Sequence, residues 1–170
     1  MCVGAIGLLA APGAAFAAPG GQASLTGTAN ATLVRAISIA PVTDLRFGVI
    51  AAPTTPGTIT VSPGGATTES GSMAGALAIS QGAVTRGPAA FAVSGDPARL
   101  FSVTLPTTIA VSAGSAVMAV SAFTSNHTAG SSSLDPAGKF TLAVGATLSV
   151  AAGQFPGKYS GTYSVTAAYQ

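Results

Sequence analysis

From Ile37 to Tyr169 apolar side chains recur at every second position, in runs that Gly and Pro interrupt every eight to twelve residues. An extended chain turns successive side chains to opposite faces. Period two with such punctuation therefore selects half-buried strands joined by tight turns. Ile37, Ile39, then Leu45, Phe47 and Val49 open the pattern. Ile59 and Val61 stand between Gly57 and Pro63-Gly64-Gly65, Leu77 and Ile79 make a short strand, and Phe91 and Val93 close at Gly95-Asp96-Pro97. Leu100, Phe101, Val103 and Leu105 end at Pro106, and Ile109 and Val111 precede Val117, Met118, Val120 and Phe123. Phe140, Leu142, Val144, Leu148 and Val150 form a long run bent at Gly145, and the last strand runs from Tyr159 to Tyr169. Residues 54–58, 62–75 and 131–133 read as polar loops. No stretch of ten residues has a helical period. The expectation is one all-β domain, an antiparallel β-sandwich.

Composition narrows the functions such a fold could carry. Only 6% of the 170 residues are charged, against about 25% in a typical soluble domain. Four acidic residues, one His and one Cys are too few for most catalytic or metal-binding constellations. Six scattered basic residues form no stripe, so a pI near 9.0 reflects scarce titratable groups and implies no nucleic-acid partner. A mean hydropathy of +0.60 argues against disorder of the charged kind. Coiled-coil heptads are absent.

Residues 2–18 carry no charge and include Val3, Ile6, Leu8, Leu9 and Phe16. Ala15-Phe16-Ala17 is a small-x-small site, so residues 1–17 are expected to be a signal peptide cleaved before Ala18. The run is short for a membrane span and Pro12 and Pro19 interrupt its ends; no second long apolar segment offers a transmembrane anchor. Cleavage would remove Cys2 and send a cysteine-free chain into an oxidising compartment, so no disulfide is expected to staple the fold. The organisation expected is therefore a signal peptide over 1–17, an N-terminal strand or extension over 18–36, and a sandwich over 37–170.

The extension has a pattern of its own. Ala23, Leu25, Gly27, Ala29, Ala31 and Leu33 alternate with Ser24, Thr26, Thr28, Asn30 and Thr32. One face is small and apolar, and the other carries only hydroxyl or amide groups. Such a strand would fit a groove between two sheets, alternate side chains filling successive pockets. Strand addition is a minority mode, so the residues alone favour the first strand of its own sandwich.

Chemistry-bearing residues are few and scattered. His127 sits in the polar run Ser125-Asn126-His127-Thr128 without an identifiable orienting carboxylate or co-ligand, and is expected in a loop. Asp96-Pro97 and Asp135-Pro136 read as turn starters, and Asp44 adjoins a strand end. Glu69, the only Glu, lies in a polar stretch, so paired-carboxylate catalysis is not expected. No Gly-x-Ser-x-Gly elbow occurs, and Gly20-Gly21 and Gly64-Gly65 are too short and misplaced for a phosphate cradle. Lys139 and Lys158 lie beside turns, which does not suit an intramolecular isopeptide bond. Asn30-Ala31-Thr32 and Asn126-His127-Thr128 match the glycosylation pattern. No catalytic, cofactor or metal site is expected, and the chain is not read as an enzyme.

Several stretches carry a resemblance. Thr28-Ala29-Asn30-Ala31-Thr32-Leu33-Val34, Ile37-Ser38-Ile39, Thr43-Asp44-Leu45-Arg46-Phe47-Gly48 and Phe123-Thr124-Ser125-Asn126 resemble the secreted bacterial family of domain of unknown function 4402. The chain is also similar to spore coat U proteins and to chaperone–usher fimbrial subunits. In the last strand of such subunits a Gly-x-Tyr-x-Gly turn precedes an alternating strand that ends near an aromatic residue. Gly157-Lys158-Tyr159-Ser160-Gly161, then Tyr163, Val165 and Tyr169, follow that pattern. Spore coat U proteins and many usher-type subunits carry a disulfide near the first strands; its absence here favours the cysteine-free family.

The resemblance implies an immunoglobulin-like sandwich that lacks one strand, with the gap filled by a neighbour's N-terminal extension. Residues 23–33 would be the donor, and the strand holding Tyr159, Gly161, Tyr163, Val165 and Tyr169 would line one side of the groove. The partners implied are further copies of the same chain in a homopolymer, a periplasmic chaperone and an outer-membrane usher, with the product at the bacterial surface or outside the cell. The competing expectation is a monomeric secreted sandwich that binds a ligand or acts as an adhesin through its loops.

Overall fold

The computed structural model describes residues 25–73 and 85–170. The 1–17 export signal, Ala23 of the candidate donor and the expected strand at Leu77 and Ile79 lie outside the described residues. The chain divides into two compact units between Leu33 and Val34. Residues 25–33 belong to no strand or helix and are exposed throughout, with Leu25 99% and Leu33 100% accessible.

From Val34 onward the described residues form nine strands and no helix. They are β1 (Ser38–Thr43), β2 (Gly57–Val61), β3 (Thr67–Gly71), β4 (Ala89–Ser94), β5 (Phe101–Thr104), β6 (Thr108–Ala113), β7 (Ala116–Ser125), β8 (Lys139–Val150) and β9 (Thr166–Tyr169). All pairings are antiparallel. Seven strands make one sheet, in the order β1-β4-β8-β2-β3 with β7 on the other edge of β8 and β6 beyond it; β5 and β9 make a second. The all-β sandwich expected from the alternation is the observed architecture.

The 12-residue β8 organises both halves. Its first half pairs with β4 from Lys139 to Val144, and its second half pairs with β2 from Ala146 to Val150. Gly145 is the joint between them. A Cβ there would collide with the Val61 carbonyl, so only glycine lets β2 end against β8 at this point. Leu142 and Val144 enter one buried cluster with Val93, Phe101 and Leu134; Ala146, Leu148 and Val150 enter another with Ile59, Met118 and Val120. Phe101 carries the second sheet onto the first. Among the described residues no polar or charged residue is fully buried.

Two local departures from the expected pattern have physical causes. The supposed loop over 62–75 contains β3, whose Thr67-Thr68-Glu69-Ser70-Gly71 sequence has no apolar residue to announce a strand. It pairs with β2 residue for residue, Thr60 facing Thr68 and Ile59 facing Glu69. The expected last strand, Tyr159 to Tyr169, is paired only at its two ends. Ser160 bridges Ser112 of β6 and β9 pairs with β5, while 161–165 lies between them outside any strand.

Candidate functional site

Side chains of the C-terminal segment alternate strictly in accessibility. Tyr159, Tyr163, Val165, Ala167 and Tyr169 are half-buried, while their even-numbered neighbours are exposed. Backbone groups alternate as well. Ser160 gives its N–H to the Ser112 carbonyl at 3.1 Å and accepts the Ser112 N–H at 2.9 Å, and Gln170 donates to the Leu100 carbonyl at 3.3 Å. Even-numbered residues thus turn their N–H and C=O toward β5 and β6. By the alternation of an extended chain, Gly161, Tyr163, Val165, Ala167 and Tyr169 turn theirs to the opposite edge. Among the described residues no backbone hydrogen bond joins 161–165 to a neighbour.

That edge borders a groove of ≈ 360 Å³ whose other lip is β1. Ile39, Pro41 and Thr43 line it from β1, Phe91 from β4, and Gly161, Tyr163 and Val165 from the C-terminal segment. The floor is core: Ile39, Phe91, Tyr163 and Val165 all pack against the Val93–Phe101–Leu142 cluster. Tyr163 is wedged between two rings, edge-on to Phe91 at 6.3 Å and tilted against Phe123 at 5.3 Å. Burial pushes its phenol above the ordinary value of 10.0, and the negative charge of Asp44 adds to the rise.

The two lips run in opposite directions. At one end the Tyr169 hydroxyl donates to the Arg35 carbonyl at 2.8 Å, and at the other Asp44 faces Tyr163. The same Tyr169 oxygen accepts the Asp96 N–H at 2.6 Å. A side chain at Gly95 would occupy the place of that hydroxyl.

The sheet margins differ in how they discourage pairing with another chain. β3 turns Glu69 inward, on the Ile59 face, where it pairs with Arg86. An inward charge is a known edge guard. β1 has Pro41, which lacks an N–H, and a register shift between Pro41 and Thr43. From Tyr159 to Tyr169 the C-terminal segment has neither charge nor proline. It is an unguarded margin, as are β5 and β6, and it is the one that borders this groove.

The remaining candidates occupy structural positions. His127 lies in a loop as expected, but its ring turns inward: Nε2 is 2.9 Å from the Phe101 carbonyl and the ring rests 4.7 Å from that of Phe101. Asp135 closes its turn by accepting the N–H groups of Ala137 and Lys139 at 2.9 and 2.8 Å. Asp96 pairs with Arg99 at 3.0 Å. The Asn126 amide extends the β7–β8 ladder, donating to the Thr141 carbonyl at 3.0 Å and accepting the Ala143 N–H at 2.9 Å. Its nitrogen is thereby engaged within the fold. Tyr159 donates to the Phe155 carbonyl at 2.6 Å and accepts from Gln154 at 2.8 Å, which fixes the loop bearing the exposed Phe155. Of the candidate donor residues, Leu25, Gly27, Ala29, Ala31 and Leu33 are exposed and outside any strand. Among the described residues no cluster of three metal-ligating side chains occurs. A second groove, ≈ 600 Å³, lies over the ends of β2, β3, β7 and β8 and is lined by uncharged residues.

The sequence profile of the family described as domain of unknown function (DUF4402) matches residues 37–169, from the residue before β1 to the end of β9. The chain belongs to the DUF4402 family. No curated protein and no solved structure matches it. The matched DUF4402 region contains both lips of the groove and Tyr169, while residues 25–33 precede it.

Proposed function

We propose that this DUF4402 chain is an exported, non-enzymatic structural subunit of a surface filament, assembled by β-strand donation. The sandwich is read as immunoglobulin-like with one strand missing, and the missing strand is residues 23–33 of a neighbouring copy. The observation that carries this reading is the unguarded edge at 161–165, unpaired among the described residues and set beside a groove with a core floor. A strand laid there would pair the odd-numbered backbone groups and cover Ile39, Phe91 and Val165 in one step.

Dimensions and side chains support the fit. The groove is lined from Gly161 to Val165, about 16 Å of extended chain, so about five of the nine residues 25–33 would lie along it and the rest would flank it. Small side chains at Gly27, Ala29 and Ala31 suit a floor already filled by the Phe91 and Tyr163 rings. Leu25 and Leu33, fully exposed in the single chain, would each gain about 1.5–3 kcal/mol on burial. The expected partners are other copies of the chain, with a periplasmic chaperone and an outer-membrane usher handling the subunit before assembly.

Deleting residues 22–33 tests the proposal. Wild type is expected to give detergent-resistant, heat-sensitive multimers on unheated gels, because a donated strand leaves slowly. The deleted chain is expected to be exported and folded but to run as a monomer. Multimers unchanged by the deletion would overturn the reading.

A further inference from the structure

We infer that residues 34–37 act as a clamp that commits the 25–33 segment to another copy of the chain and keeps it out of its own groove. The inference rests on the strand-donation reading and names the residues that keep the donation between copies. β1 starts at Ser38, and the groove lies along β1. For its own extension to enter that groove, the chain would have to reverse direction between Leu33 and Ser38, forming a hairpin with β1.

Three features oppose this reversal. First, Val34-Arg35-Ala36-Ile37 contains no Gly, Pro, Asn or Asp. A two-residue turn would need positive φ, which β-branched Val34 and Ile37 resist, and a four-residue loop would lack the Asp, Asn, Ser, Pro or Gly that favours its type I turn. Second, the Arg35 carbonyl is held by the Tyr169 hydroxyl at 2.8 Å. That hydroxyl is itself fixed by the Asp96 N–H at 2.6 Å and by its seat against Gly95. Third, Ile37 packs against the Val93–Phe101–Leu142 cluster. A hairpin over 34–37 would break the hydrogen bond and lift Ile37 from the core. Reversal further upstream, at Asn30, would divide the alternating run and forfeit Leu33 as a groove residue.

The consequence is directional. A subunit that cannot close on itself keeps an open groove and a free strand, and each contact presents one of each. Such contacts join head to tail and do not close, so they propagate.

Inserting Gly-Asn-Gly-Ser between Leu33 and Val34 supplies the missing turn and leaves the Arg35–Tyr169 bond intact. Size-exclusion chromatography with light scattering should show wild-type chains as multimers. The insertion chain should be monomeric, with its multimer fraction reduced at least tenfold and its first residues protected from protease. Wild-type chains that run as monomers with a protected N-terminus, or insertion chains that multimerise like wild type, would overturn the inference. A mixing experiment does not depend on the insertion. The chain lacking 22–33 offers a groove without a strand, and in trans assembly it should cap wild-type multimers and shorten them in proportion to the amount added. No shortening would also overturn the clamp. The two readings fail separately. Multimers that survive the 22–33 deletion defeat strand donation itself. Multimers lost on deletion but kept on insertion defeat the clamp alone.

Discussion

At Tyr169 a single hydroxyl joins three parts of the chain. It donates to Arg35, accepts from Asp96 and fills the space beside Gly95. Tyr169→Phe keeps the ring but leaves the half-buried Asp96 N–H without its acceptor. An orphaned donor of this kind costs about 1–3 kcal/mol, which chemical denaturation should register as a lower midpoint with an unchanged slope. Gly145 is more severe. Alanine there would press its methyl into the Val61 carbonyl where β2 and β4 meet end to end along β8. Overpacking against backbone should cost about 3 kcal/mol, because neither strand can move without dragging its own ladder. Thermal unfolding of Gly145→Ala should fall by about 10 °C for a domain of this size. A variant as stable as wild type would mean that β8 bends freely at that point.

Elements were legible in the sequence in proportion to how much apolar surface they bury. Ile59 and Val61, Phe91 and Val93, and Leu142 through Val150 announced β2, β4 and β8, because alternation of large apolar groups has few other meanings. β3 was hidden because its inward residue is Glu69, held by Arg86, and Thr, Ser and Gly fill its other positions. The site was half legible. Period two set Tyr163, Val165 and Tyr169 at odd positions of one strand, but it left their shared face open and says nothing of backbone partners. The unpaired stretch at 161–165 therefore emerged only from the hydrogen bonds. So did the role of Asn126, whose amide substitutes for a backbone pair beside β8. Asn126→Ala should release the solvent-exposed Ala143 N–H to water and cost about 0.5–1.5 kcal/mol, seen as faster amide exchange at Ala143. Backbone parity gives a sharper test of the C-terminal strand. Ala167 directs its N–H to the open edge and Thr166 directs its own to β5. Ala167→Pro should therefore leave the monomer folded and reduce multimers sharply. Thr166→Pro should destabilise the sandwich itself. Equal effects from the two prolines would refute the assigned edge.

For the whole molecule the scarcity of charge leaves few groups able to make stability depend on pH. The proton affinity of Tyr163 is displaced, first by burial and then by Asp44. Its phenol is held above the ordinary 10.0, so the folded chain keeps the proton after the unfolded chain has begun to release it. The contribution of Tyr163 is thus fully present below the unfolded value and is lost as pH rises through the folded one. Urea midpoints measured from neutral pH into the alkaline range should fall for wild type more steeply than for Tyr163→Phe, which has no proton to lose. Coincident slopes would mean that the phenol is solvated in the folded state. The same group reports on assembly, because it lines the groove. A donated strand covering the groove would remove more water from the ring and raise its proton affinity further. Phenolate absorbance should therefore appear at higher pH in wild-type multimers than in the chain lacking 22–33, and the added delay should vanish in Tyr163→Phe. Identical titrations in multimer and deletion chain would place the intersubunit contact away from this groove.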